Sequence, residues 1–235
     1  MLKSMSFNLV RNNNIYLLRG RTKSPYHPIE RTITKTGKTY RLRKTERGLL
    51  EIEQPIGFKA KTDLSQIEIV DSLTNWLITD DWALLQFDDE PGRRYEALLQ
   101  SNMADFEKIA WLRRGTLQFI AKSTLGKSKQ INVTTTSKKH QITGQTETPW
   151  TVEVSFKANT NKFELWAGDI YLLLNYSFIA GDKLVVNYVG REVFLNGNDL
   201  RKAVSMSSHF KELKPGTVEV KASVPCTIKY DERYY

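Results

Sequence analysis

Apolar and polar positions alternate with a period of two along most of the chain, in short segments broken by turn residues. Residues 5–10 and 15–18 are apolar runs around Asn12-Asn13-Asn14, a composition suited to a turn. Residues 19–30 contain Gly20, Pro25 and Pro28 and read as loop, and 39–42 and 49–52 read as strands on either side of Gly48. One stretch changes period. Ile67, Val70, Leu73, Trp76 and Leu77 recur at helical spacing and predict a single helix with one apolar face. Asp63 or Ser65 would start it, Ser65-Gln66-Ile67-Glu68 has capping-box spacing, and Asp80-Asp81 would stop it.

Period two then returns. Residues 83–87 and 95–100 are strands joined by Asp88-Asp89-Glu90-Pro91-Gly92, and 106–112 pairs with 116–121 across Arg113-Arg114-Gly115. The polar, glycine-bearing stretch 122–129 and the threonines of 133–139 put a domain boundary between residues 125 and 145. Beyond it, 150–157, 163–166, 170–174, 183–188, 192–195, 199–204, 217–222 and 226–230 follow at the spacing of a β-sandwich, with Asn196-Gly197 as a hairpin turn. The expected fold is mainly β, with two β-sandwich-type domains over 1–133 and 134–235 and a short helix near 65–78 in the first.

Charge adds a second pattern. The chain has 235 residues and a formal net charge of +9. Residues 1–61 carry 14 Lys/Arg against 4 Asp/Glu, residues 62–133 carry 8 against 11, and residues 134–235 carry 13 against 11. The excess is therefore N-terminal and densest over residues 31–47, where Thr34, Thr36, Tyr40 and Leu42 interleave with Lys35, Lys38, Arg41 and Arg43. That interleaving predicts a solvent-facing or interface strand more readily than a phosphate footprint.

The catalytic inventory is small. A single cysteine, Cys226, alternates with Val224 and Ile228 as a buried structural thiol would, and excludes an internal disulfide or a thiolate metal site. Only His27, His140 and His209 could supply imidazole, so neither a metal nor a cofactor is expected. Thr36-Gly37-Lys38-Thr39 ends like a phosphate-binding loop, but Thr32 stands where its first glycine is required. Asp88, Asp89 and Glu90 could offer a carboxylate pair for glycoside hydrolysis, although adjacent acids at a Pro-Gly turn are more simply a solvated loop. Trp150 and Trp166 could form a sugar-stacking platform or belong to the core. No run is long and apolar enough to span a bilayer, and residues 1–14 lack the pattern of a signal peptide.

Several segments in a fixed order carry a resemblance. Leu73-Thr74-Asn75-Trp76-Leu77, then the strand Trp82 to Phe87, then the acidic Pro turn with Tyr95 opening the next strand, is similar to the distal tail protein (Dit) family of long non-contractile-tailed phages. The hairpin containing Trp111-Leu112 and Leu117-Gln118-Phe119 fits the same order, as do Thr148-Pro149-Trp150, Gly181-Asp182-Lys183, Leu195-Asn196-Gly197 and Leu213-Lys214-Pro215-Gly216. The resemblance implies a non-enzymatic virion protein at the distal end of the tail, made in the host cytoplasm. It implies an N-terminal ring domain with a long hairpin and a C-terminal galectin-like sandwich. The implied assembly is a hexameric ring, one or two stacked, whose channel passes DNA without specific binding. Its implied partners are the major tail protein, the tape-measure protein and the tail-associated or receptor-binding proteins, with no membrane involved. On this view Arg41, Arg43 and Lys44 are candidates to meet Asp88, Asp89 and Glu90 of a neighbour across the ring interface. The alternative is a carbohydrate-binding adhesion module that recognises host cell-wall polysaccharide through Trp150 or Trp166.

Overall fold

The structure, a computed structural model, describes residues 3–100 and 107–235. It divides into two compact units, residues 1–125 with Tyr235, and residues 126–234.

The N-terminal unit is an antiparallel sheet with one helix. Its strands are β1 (Met5–Phe7), β2 (Val10–Arg11), β3 (Ile15–Leu17), β4 (Thr22–Lys23), β5 (Ile29–Thr36), β6 (Thr39–Arg47) and β7 (Leu50–Lys59). After helix α1 (Asp63–Leu77) come β8 (Ala83–Phe87), β9 (Arg94–Leu99), β10 (Glu107–Ile109) and β11 (Leu112–Val133). The sheet runs β2-β1-β8-β9-β11-β7, and β7 also pairs with β3 and β4. Alternate residues of β7, β8 and the first part of β11 point inward, so Ile52, Ile56, Phe58, Leu85, Phe87, Leu117 and Phe119 meet Leu73 and Leu77 of α1 in one core. Burying each such side chain contributes about 1.5–3 kcal/mol. Strands β5 and β6 stand apart as a two-stranded ribbon that, among the described residues, pairs with no other strand.

Several local expectations change. The first turn is Asn8-Leu9, both at positive φ, rather than the three asparagines. The capping box is Thr62 with Ser65, each side chain bonded to the other's backbone N–H at 3.1 Å; Ser65 with Glu68 plays no such part. Ile67, expected on the buried face, is 57% exposed. The turn between β10 and β11 is Ala110-Trp111, with Ala110 at φ 54°, so Arg113-Arg114-Gly115 lies within the strand. Phe106, where that hairpin was expected to begin, lies outside the described residues. The stretch 122–129 is strand throughout: β11 continues through it, with Thr124, Leu125 and Gly126 buried.

The C-terminal unit is a sandwich. One sheet comprises β13 (Trp150–Ser155), β16 (Lys183–Asn187), β17 (Glu192–Leu195), β18 (Asn198–Asp199), β20 (Cys226–Tyr234) and the last part of β11. The other runs β12 (Lys138–Ile142), β19 (Gly216–Ala222), β14 (Thr160–Ala167), β15 (Ile170–Phe178). Phe156, Phe163 and Phe178 form the aromatic centre between them, with Phe156 stacked on Phe178 at 4.2 Å. Asn196-Gly197 makes its turn with both residues at positive φ. The expected strand 199–204 is instead β18 followed by a short 3-10 turn at Arg201–Ala203. Gly126 is required by packing: a Cβ there would lie 2.5 Å from the Tyr234 ring and 2.8 Å from a Glu232 carboxylate oxygen.

Candidate assembly surface

The β5–β6 ribbon is the feature that the fold of the N-terminal unit leaves without an internal purpose. Its root is fixed. The Gly48 N–H donates to the Pro28 carbonyl at 2.8 Å, His27 Nδ1 donates to the Gly48 carbonyl at 3.2 Å, and His27 Nε2 shares a hydrogen bond with the Thr124 hydroxyl at 3.1 Å. Because a carbonyl can only accept, Nδ1 carries a proton. Burial pushes the His27 pKa down; the Gly48 carbonyl opposes this and the Arg47 charge adds to it.

Beyond the root, the ribbon has two different faces. Directly paired residues share a face, and the register pairs Ile33 with Leu42, Lys35 with Tyr40 and Thr34 with Arg41. Ile33, Leu42 and Tyr40 therefore stand together with Lys35, whose ammonium lies 5.7 Å from the Tyr40 ring centre. All of these side chains are exposed, Tyr40 to 68%. The opposite face is polar, with Thr34, Arg41 and, past a bulge between Thr32 and Ile33, Lys44 paired to Thr32. Lys44 reaches Glu46 of its own strand at 2.5 Å. Among the described residues, Arg31, Lys35, Lys38, Arg41 and Arg43 form no ion pair.

The acidic turn is in the opposite condition. Asp88 accepts from the Ser4 N–H at 2.8 Å and from Arg11 at 2.6 Å. Arg21 reaches Asp89 at 2.6 Å and Glu90 at 3.4 Å, bonds Gln54, and lies 3.8 Å over the Phe87 ring. Lys23 bonds Glu90 at 2.6 Å and the Tyr95 hydroxyl at 2.7 Å. The Arg11 hydrogen bond, helped by Ser4 and opposed by burial, holds the Asp88 carboxyl below its usual range. A glycosidase acid needs the reverse shift. The three acids thus clamp the β8–β9 turn onto β2 and β4, and their charges are answered within their own unit.

Trp150 is a core residue. It is 3% exposed, stacks on Phe210 at 6.0 Å and donates its indole N–H to the Lys211 carbonyl at 2.7 Å, which leaves no ring face for a sugar. Trp166 differs: it is 37% exposed on the outer side of β14, with Tyr171 at 5.7 Å and the Lys221 ammonium at 5.7 Å. The Cys226 thiol is pushed up to about 12 by burial. A cleft of about 500 Å³ is lined by Asn13, Asn14, Tyr16, Lys59 and Ile69. Among the described residues no group of three or more His, Cys, Asp or Glu is placed to hold a metal ion, and no helix is long and apolar enough to cross a membrane.

Known proteins bear on this surface. Residues 143–234 match the family described as siphovirus-type tail component, C-terminal domain. The distal tail protein of Bacillus phage SPP1 is 30% identical over 158 residues, which cover 64% of this chain and 62% of that protein. The crystal structure of SPP1 Dit, titled a paradigm of the hub adsorption apparatus in phages infecting Gram-positive bacteria, superposes with a TM-score of 0.85 at 20% identity, covering 100% of both chains. The chain is similar in sequence to a distal tail protein and shares its fold. The sequence match reaches 62% of the curated relative's length. A chain of the phage P2 baseplate in its calcium-activated conformation shares the fold more distantly, with a TM-score of 0.63, 8% identity, and 99% and 98% coverage.

Within this chain, sequence reasoning found the basic ribbon but missed three other features. Arg113 is wholly buried and bonds Gln66 and the carbonyls of Ala110 (3.0 Å) and Leu112 (3.3 Å), tying α1 to the β10–β11 turn. His27 locks the ribbon's root. Leu64 and Ile67 lie exposed on α1. The last had a visible signal, since Leu64 falls half a helical turn from Leu73 and outside any single apolar face.

Proposed function

We propose that this chain is a structural phage tail protein that closes into a hexameric ring at the distal end of the tail and joins the tail tube to the adhesion and baseplate proteins. The observation that carries this reading is the β5–β6 ribbon: a two-stranded sheet with no third strand among the described residues, exposing Ile33, Tyr40 and Leu42. An isolated hairpin is at best marginally stable in water, and exposed apolar groups rimmed by charge mark an interface. A head-to-tail contact repeated around an axis closes a ring. Arg41, Arg43 and Lys44 charge the same ribbon, with Arg41 and Lys44 on its polar face. Asp88, Asp89 and Glu90 brace the β8–β9 turn against Arg11, Arg21 and Lys23. Similarity to a hub adsorption protein and to a baseplate chain supports the placement in the virion. The major tail protein would stand on one side of the ring and the receptor-binding proteins on the other, around the tape-measure protein, with DNA passing through unbound.

Light scattering with absolute mass on the purified chain tests this. A mass of six protomers, or twelve for stacked rings, is expected. A monomer at all concentrations, with and without tail partners, overturns it. Trp166 favours a second reading, sugar binding on the outer sheet of the C-terminal unit. Loss of cell-wall polysaccharide binding in a folded Trp166→Ala variant would support it, and absence of any glycan binding by the wild-type chain would remove it.

A further inference from the structure

If the ribbon is an interface, it needs a receiver, and the acidic turn cannot serve because Arg11, Arg21 and Lys23 already neutralise it. We infer that the receiver is the outer face of helix α1 on a second copy of this chain, with the Ile33–Tyr40–Leu42 face of the ribbon lying on Leu64 and Ile67. This rests on the ring reading and adds the partner surface to it.

Three observations converge on α1. Leu64 and Ile67 are exposed one turn apart, on a helix whose other side already supplies Leu73 and Leu77 to the core. They are flanked by Glu68 and Asp71, which together make a stripe at i, i+3, i+4 and i+7. Charge is complementary in sign and in size. Residues 29–47 hold seven Lys/Arg and two Asp/Glu, a net of +5, while residues 63–81 hold five acids and no Lys or Arg, a net of −5. Within that helical segment Asp63 pairs with Lys108 at 2.9 Å, whereas Glu68, Asp71, Asp80 and Asp81 form no ion pair among the described residues. Lengths also agree: eight or nine paired residues extend roughly 26–30 Å and fifteen helical residues roughly 22 Å, so one ribbon covers one helix. On the ribbon, Arg31 and Lys35 lie on the apolar face, as the register with Thr45 and Tyr40 requires, and they are placed to meet Glu68 and Asp71 while the apolar side chains close over Leu64 and Ile67.

A charge-reversal cycle on the full chain tests the contact, with assembly read by light scattering and fold by circular dichroism. All four positions are exposed, so the variants should keep the wild-type spectrum. Arg31→Glu with Lys35→Glu, and separately Glu68→Lys with Asp71→Lys, should each shift the ring mass to the monomer mass at a concentration where the wild type is fully assembled. The combined four-residue variant should recover assembly. If the helix reversals keep the wild-type mass while the ribbon reversals dissociate it, the ring stands and the helix is not its receiver. Failure of the combined variant to recover any assembly also overturns the contact. A monomeric wild type removes the ring reading, and this inference with it. An independent readout is mixed oxidation of two single variants, Leu42→Cys and Ile67→Cys. A disulfide-linked dimer containing one of each is expected. Only homodimers, or none, would place the two faces apart.

Discussion

Arg113 offers the sharpest test of how the N-terminal unit is held together. Its side chain is inaccessible to solvent, and its guanidinium donates to Gln66 of α1 and to the Ala110 and Leu112 carbonyls. Asp63, 3.8 Å away, is largely exposed, so no buried counter-charge would be stranded by its loss. Arg113→Ala removes a buried chain of heavy atoms, a loss in the range of about 2–3 kcal/mol for comparable large-to-small changes. It also removes hydrogen bonds from a charged donor, about 1.5 kcal/mol net. Gln66 and Ala110 recover part of this from water, since both retain solvent access. The expected total is ~3 kcal/mol, or a fall of roughly 10 °C in the melting temperature of a unit this size. Arg113→Met keeps the stem and loses only the fork, so it should cost ~1 kcal/mol. Thermal unfolding, with hydrogen exchange read on the α1 amides, separates the two. The reasoning fails if alanine lies within 1 kcal/mol of wild type, or if methionine is as costly as alanine.

Other outcomes follow from the same contacts. Gly126→Ala should destabilise the C-terminal unit by about 1–3 kcal/mol, because its Cβ would overlap Tyr234 and Glu232, and denaturant titration would detect it. Because the folded-state pKa of His27 lies below its unfolded value, the unfolded chain binds the extra proton. Its contribution is therefore complete above about pH 6.5 and is lost as pH falls from there towards the folded value. Protection factors of the ribbon-root amides, corrected for the intrinsic pH dependence of exchange, should fall between pH 7 and 5, and His27→Gln should remove that slope. Cys226 should resist a thiol reagent at pH 8 in the native protein and react fully in denaturant, and rapid native labelling would contradict its burial.

What the sequence revealed depended on whether a signal was local. The period-two strands of the C-terminal unit, the Asn196-Gly197 turn and the helix over residues 63–77 were legible because spacing and turn chemistry are encoded within a few residues. The capping box was displaced by three residues because Thr62 and Ser65 satisfy it as well as Ser65 and Glu68 would on paper, and only the entry of the chain from β7 selects between them. The stretch 122–129 was read as a polar break near the domain boundary, and not as strand, for a related reason. Its glycine signals freedom locally, yet Gly126 is there because Tyr234 and Glu232, more than a hundred residues away, occupy the space of a side chain. Arg113 was assigned to a turn because arginine beside glycine is a surface signature. Its burial depends on Gln66 and on two carbonyls that no window of sequence contains.

The same distinction governs the candidate interface. The basic alternation of residues 31–47 was readable, and so was the acidic balance of residues 62–133, but net charge alone could not say which acids are free. Three of the eleven, Asp88, Asp89 and Glu90, are the most conspicuous in the sequence and the most thoroughly paired in the fold. The acids of α1 are scattered among apolar residues and look unremarkable, yet Glu68 and Asp71 stay unpaired beside exposed Leu64 and Ile67. A charge already answered at 2.6 Å within its own unit presents a largely neutralised surface to a neighbour. An unanswered charge at the rim of an apolar stripe is not neutralised in this way. The ribbon's partner is therefore to be sought where acids and exposed hydrophobic side chains coincide, and in the described N-terminal unit helix α1 brings the two together.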